Sequence, residues 1–182
     1  WREFFQQSLS AFPHVASGPF KSKDGLPRPR PAGAEWNRLY AAWCEGQTGY
    51  TLVDAGMRQL NQTGWMHNRV RMVVASFLIK DLRIDWQNGE RYFMQQLLDA
   101  DLAANNGNWQ WAAATGTDSM PGYRIFNPLL QSRKFDPEGA YIRQYVPELA
   151  AVPTARIHAP HLMTLDEQVL AGCRIGRDYP LP

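Results

Sequence analysis

A chain of 182 residues, 45% hydrophobic and 12% aromatic, has enough apolar material for one domain with a sizeable core, which excludes a disordered chain. No apolar run reaches the length of a membrane span, and Cys44 and Cys173 are lone residues that imply neither a metal site nor a disulfide framework. A net charge of +2 does not demand nucleic acid, although it permits a local basic face.

The chain opens with a predicted helix over Trp1–Phe12, with Phe4, Phe5, Leu9 and Phe12 on one side, ended by Pro13. Residues 13–34 read as loop because prolines recur through them. Glu35–Glu45 and Thr51–Gln62 are expected to be helices, the first with Trp36, Leu39, Tyr40 and Trp43 on one stripe. The second turns Leu52, Val53, Met57 and Leu60 inward and is closed by Gly64. Asn68–Leu82 carries a core face of Val70, Val73, Val74, Phe77 and Leu78, with Asn68, Met72 and Ala75 on a separate face. Arg71 lies in its first turn, where a cation opposes the helix dipole, so a buried anionic partner is expected. Trp86 reads as a core anchor in the link to the next helix.

Asp99–Trp111 (DADLAANNGNWQW) is the most unusual stretch, with acids, asparagines and tryptophans where a core segment would hold aliphatics. Asn106-Gly107 reads as a stop for a helix begun near Asn88, which puts Asp99, Asp101 and Asn105 in its last turns. Carboxylates there oppose the dipole, so specific partners are expected. Thr115–Pro128 reads as loop. Pro137–Tyr145 reads as a short helix capped by Asp136, and another is expected near Leu165–Leu170. His14, His67, His158 and His161 lie too far apart for a sequence-local metal site, so no metal is expected. Asn61-Gln62-Thr63 fits a glycosylation triplet but reads as a chance match, and the cytoplasm is the expected compartment.

Five segments in order, Thr48–Asp54 (TGYTLVD), Asn61–Arg71 (NQTGWMHNRVR), Asp99–Trp111, Ala114–Asp118 (ATGTD) and Arg124–Pro128 (RIFNP), resemble the flavin-binding domain of class I cyclobutane-pyrimidine-dimer photolyases. The resemblance runs over nearly the whole chain and implies an all-α helical domain, residues 1–182, cut at both ends. An N-terminal α/β antenna domain with a folate or deazaflavin chromophore is expected upstream. The implied cofactor is noncovalent FAD, and the implied partner is damaged DNA containing pyrimidine dimers, bound by a monomer without a membrane.

The resemblance also assigns residues. Asn105 faces the reactive edge of the flavin, while Asp99, Ala100 and Asp101 lie at its pyrimidine end, with Arg71 paired to Asp99. Asn68, Arg69, Met72 and Trp111 line the lesion pocket; Trp1, Arg2, Arg124 and Gln131 meet DNA around it. Trp109 and Trp86 carry electrons to the flavin. The outer tryptophan usual in relatives is replaced by Leu26-Pro27-Arg28-Pro29-Arg30, with Trp36 or Tyr40 as candidate substitutes. Two rivals are a cryptochrome photoreceptor of the same fold and a helical DNA-binding module without chemistry. Asn105 argues against a plant-type cryptochrome, which tends to place an acid there; Asn68 argues against a (6-4) enzyme, which tends to carry a second histidine.

Overall fold

The computed structural model describes residues 1–21, 30–117 and 125–182. Among them run nine α-helices and no named strand: α1 (Arg2–Ala11), α2 (Gly33–Glu45), α3 (Thr51–Thr63), α4 (Asn68–Ser76), α5 (Trp86–Gln96), α6 (Leu102–Ala113), α7 (Pro128–Phe135), α8 (Ala140–Tyr145) and α9 (Leu165–Ala171). None of these is long and apolar enough to cross a membrane.

Helices α2 to α6 enclose the larger core, in which Trp43, Val53, Met57, Leu60, Val73, Val74 and Leu78 are wholly buried. A smaller core joins Ala55 of α3 to Ile142, Val146, Leu149, Ile157 and Tyr179 of the C-terminal third. Asp54, wholly buried between the two, accepts from the Thr48 amide (2.7 Å), the Thr48 hydroxyl (2.6 Å), the Gly49 amide (3.0 Å) and the Tyr179 hydroxyl (2.6 Å). A buried carboxylate needs such a set of donors. The Thr48–Asp54 motif therefore builds a bolt between α3 and the last segment of the chain.

Helix α4 keeps its expected core face, but the helix from Asn68 does not run unchanged to Leu82. A π-helical turn over Phe77–Asp81 replaces its end, and the widened turn buries Phe77, Leu78, Ile79 and Lys80 in succession.

The largest correction falls between α5 and α6. A single helix into Asn106-Gly107 is not formed. Helix α5 stops at Gln96, and Leu97 turns extended at ψ 129°. The Leu98 amide then donates to the Gly64 carbonyl at 2.9 Å, across to the turn between α3 and α4. Asp101 restarts the chain as N-cap of α6, its carboxylate accepting from the Ala104 amide at 2.8 Å. So Asp101 sits at the dipole end that favours an acid, not at the opposing one.

Gly107 stops nothing. It lies inside α6, and a Cβ there would fall 2.1 Å from the Phe5 ring of α1. The glycine is required by close helix packing. Two further boundaries differ. Asn127 caps α7, accepting from the Leu130 amide at 3.0 Å with Pro128 in the first turn, so a helix begins where the sequence reads as the end of a loop. Asp136 ends α7 and is not the cap residue of α8, although its carboxylate does receive the Tyr141 and Ile142 amides at 3.1 and 3.0 Å.

The Gly107 contact gives the first prediction. Alanine is the better helix former by about 1 kcal/mol, yet Gly107→Ala will destabilise the fold by about 1–3 kcal/mol, because the added methyl must displace the Phe5 ring. Pairing it with Phe5→Leu will recover part of the loss. A chemical-denaturation series checks this, and a stabilised Gly107→Ala chain would show that α1 is not fixed against α6.

Candidate functional site

The restart at Asp101 leaves a gap between the end of α5, the face of α4 and the start of α6. A cavity of about 120 Å³ occupies it. It is lined by Asn68, Arg71, Met72 and Ala75 from α4, by Phe93 and Leu97 from α5 and its end, by Asp99, Ala100 and Asp101 from the link, and by Ala104, Asn105, Asn108, Trp109, Trp111 and Ala112 from α6.

Arg71 ties the link to α4. Its Nη2 donates to both Asp99 oxygens at 3.1 and 3.0 Å, and its Nε donates to the Met66 carbonyl at 2.6 Å. The pair is not the buried one expected, since the Asp99 side chain is 53% and the Arg71 side chain 24% exposed. Solvent screening makes such a pair worth far less than a dry one.

Asn105 lies one turn into α6 and donates its side-chain amide to the Glu90 carbonyl of α5 at 2.9 Å. Next to it, Asn106 donates to the Glu90 carboxylate at 2.8 Å and to the Val15 carbonyl at 2.9 Å. Gln110 continues the ladder, donating to the Asn106 side-chain oxygen at 2.9 Å and receiving the Phe20 amide at 2.8 Å. Burial pushes the Glu90 carboxyl above its ordinary value, while the Asn106 amide pulls the other way.

Trp109 is 2% exposed, its ring edge packed where a Cβ on Gly89 would stand 2.1 Å away. Trp111 is half-buried, tilted against Phe126 at 6.4 Å.

Not every expected residue meets here. Trp86 is buried on α5 outside the lining. Arg69 stands over the Phe135 ring of α7 at 4.9 Å, beside Lys134, which makes a basic and aromatic rim. Gln131 lies on that same helix α7, its side-chain oxygen buried without a partner. Trp1 is 89% exposed and stacks on Phe5 at 6.0 Å, with Arg2 exposed after it. Arg124, Arg28 and their neighbours at 22–29 and 118–124 lie outside the described residues. Ala104, Asn108 and Ala112 escape a reading that ends the helix at Asn106-Gly107. With the start of α6 placed at Leu102, they fall at helical spacing from Asn105 and Asp101.

The geometry is that of an all-α domain whose cavity has apolar walls and a few polar groups gathered on one side, a lining suited to a small ligand. All of residues 1–182 match the family described as the FAD binding domain of DNA photolyase, and the chain belongs to that family. It is 54% identical over 178 residues to a deoxyribodipyrimidine photo-lyase of Vibrio cholerae, covering 96% of this chain and 37% of that protein. It is 55% identical over 164 residues to that of Escherichia coli, covering 88% and 33%. Among solved structures, a bacterial class III photolyase from Agrobacterium tumefaciens superposes with a TM-score of 0.91 at 48% identity. A Synechocystis cryptochrome does so at 0.90 and 39%; each match covers 100% of this chain and 37% of the other. The chain thus spans about a third of the length of the relatives it matches.

Arg71→Ala will cost about 1–2 kcal/mol, the sum of a screened ion pair and the bond to Met66, and Arg71→Lys will recover only part because it lacks the fork. Calorimetry of both variants tests this; a loss above about 3 kcal/mol would mean the pair behaves as a buried one. For Glu90, the raised folded pKa means that the unfolded chain releases its proton first, so stability falls as pH climbs above the ordinary value of 4.5. Glu90→Gln keeps an oxygen for Asn106 and cannot ionise. It will melt higher than the parent at pH 7 and converge with it below about pH 4.5. An equal gap at both pH values would exclude Glu90 as its source.

Proposed function

We propose that this chain holds FAD in a light-driven enzyme that splits cyclobutane pyrimidine dimers in DNA. The observation that carries the reading is one cavity joining Arg71, Asp99, Asp101 and Asn105 with Asn68, Met72 and Trp111. Hydrogen-bonding groups of both signs suit the polar edge of a flavin ring, and Phe93, Leu97 and Trp109 suit its apolar faces. Arg71, Asp99, Asp101 and Asn105 would hold the flavin there, and once reduced and excited by blue or near-ultraviolet light it would supply the reversible one-electron chemistry that opens the cyclobutane ring.

The chain's own groups position and tune. Arg71 and Asp99 hold the link at the pyrimidine end of the ring, with Ala100 and Asp101 beside them. The Asn105 side chain spends its N–H on Glu90, which leaves its carbonyl oxygen as an acceptor. An acceptor favours a ring nitrogen that carries hydrogen, as the reduced flavin does. Asn68, Met72 and Trp111 receive the lesion, Met72 by soft apolar contact and Trp111 by stacking. Trp1, Arg2, Arg69, Arg124 and Gln131 contact the strand around it, where basic side chains meet phosphate. Photolyases as a class act on a target extruded from the duplex, and a poorly stacked dimer costs less to extrude than a normal base. The same proposal includes an antenna chromophore of folate or deazaflavin type on an N-terminal domain, and a monomer acting in the cytoplasm.

The Synechocystis cryptochrome neighbour supports a second reading, a blue-light photoreceptor without repair. The discriminating experiment uses the full chain loaded with FAD and chemically reduced, on oligonucleotides carrying one defined lesion. Blue light is expected to reverse the cyclobutane dimer and to leave the (6-4) photoproduct untouched. Flavin binding without dimer reversal would favour the photoreceptor.

A further inference from the structure

Helix α7 buries two of its eight residues, Pro128 and Ser132, which lie one turn apart on its inner face. Leu129 is half-buried, while Leu130 and Phe135 are 60% and 48% exposed. A helix so placed gains little from apolar packing, and two small residues do not fix its rotation about its own axis. Polar bonds do that instead. The hydroxyl of Ser132, a residue 1% exposed, meets His158 Nδ1 at 2.7 Å, and His158 Nε2 meets the Pro137 carbonyl at 3.2 Å. A carbonyl can only accept, so Nε2 carries the hydrogen and Nδ1 accepts from the hydroxyl. One imidazole therefore grips α7 at its inner face and the chain just beyond its end.

His158 is itself held in place. It lies between Ile157, wholly buried in the smaller core, and Ala159, 5% exposed. The Ile157 and Ala159 amides close the turn on the Pro153 and Arg156 carbonyls at 3.0 and 2.9 Å. That core is tied to α3 through the Tyr179 bond to Asp54. The outer side of α7 carries the basic and aromatic rim. Arg133 and Lys134 are exposed in its last turn, and Arg69 of α4 stands over the Phe135 ring at 4.9 Å. Phosphates along a strand are regularly spaced, so several cations meet them together only when their own spacing is held.

We propose that His158 is a positioning residue for DNA binding. Through the Ser132 hydroxyl it sets the rotation of α7, and with it the direction in which Arg133 and Lys134 reach the strand beside Arg69. The proposal rests on the DNA reading above. A serine at the buried face suits this role, because an aliphatic residue there would pack but could not select one rotation. His158 does not line the cavity, which is built from α4, α5, α6 and the link between the last two. Loss of its bond to Ser132 therefore leaves the flavin and lesion contacts in place and acts on the substrate only through α7.

The test uses the full chain loaded with FAD and chemically reduced, with a duplex that carries one cyclobutane dimer. Binding is followed against salt, and repair under saturating light gives KM and kcat. Ser132→Ala removes the hydroxyl, while His158→Gln keeps an N–H for Pro137 and puts no acceptor at the Nδ1 position. Both are expected to raise KM and Kd about three- to ten-fold, the factor that one hydrogen bond is worth. Both should also flatten the log–log salt slope by about one phosphate contact. Values of kcat and the flavin spectrum are expected to stay at those of the parent. His158→Asn brings an amide oxygen to the Nδ1 position and is expected to return binding to within about two-fold of the parent. Parent KM and salt slope in Ser132→Ala would overturn the proposal, as would a joint fall of its kcat and flavin content, which marks a merely structural bond. Should either His158 variant fail to fold, Ser132→Ala decides alone. A parent chain that binds no dimer-containing duplex would overturn the DNA reading, and the proposal with it.

Discussion

One interruption governs the site: the chain leaves helix at Gln96 and re-enters it at Leu102. Nothing in the residues between forbids a continuous helix, and no proline breaks them. The break is held open from outside. Leu98 gives its amide to Gly64, Asp99 is gripped by Arg71, and Asp101 caps α6. The three attachments cost the chain several intrahelical bonds and return side-chain and backbone bonds in their place. They create a cavity floored by a fresh helix N-terminus, with Asn105 and Trp109 in its lining.

The rest of the fold serves to keep α6 still. Two glycines allow it to be packed at the shortest distances, Gly107 beneath Phe5 of α1 and Gly89 of α5 beneath the Trp109 ring. At both places a side chain would have to occupy space already filled by an aromatic ring. The Asp54 bolt and the smaller core lie away from the cavity and tie the C-terminal third to α3.

A second constraint is polar. Glu90, Asn106 and Gln110 form a buried ladder that reaches from α5 through α6 to the carbonyls of Val15 and Gly18. A carboxyl held there with little compensating charge works against stability at neutral pH. Its return is orientation. The same helix turn that carries the Glu90 carboxyl to Asn106 carries the Glu90 carbonyl to Asn105, so a shift of α5 along α6 would unmake both bonds at once.

Periodicity was enough for α1 to α3 and for the start of α4, because each presents an apolar face, and α1 to α3 end at proline or glycine; α9 was marked by its own end signals at Thr164 and Gly172. Motif order and spacing were enough for the family and for most of the cavity, since Asn68, Arg71, Met72, Asp99, Asp101 and Asn105 do line it. The register of the α5–α6 break was not legible. Gly107 carries the same local signature whether it ends a helix or admits Phe5, and only the position of α1, far away in sequence, decides between them. The solvation of the Arg71–Asp99 pair and the π-helical turn at Phe77 were likewise tertiary outcomes. Each depends on which distant surface arrives beside the residue, and local sequence holds no record of that distance.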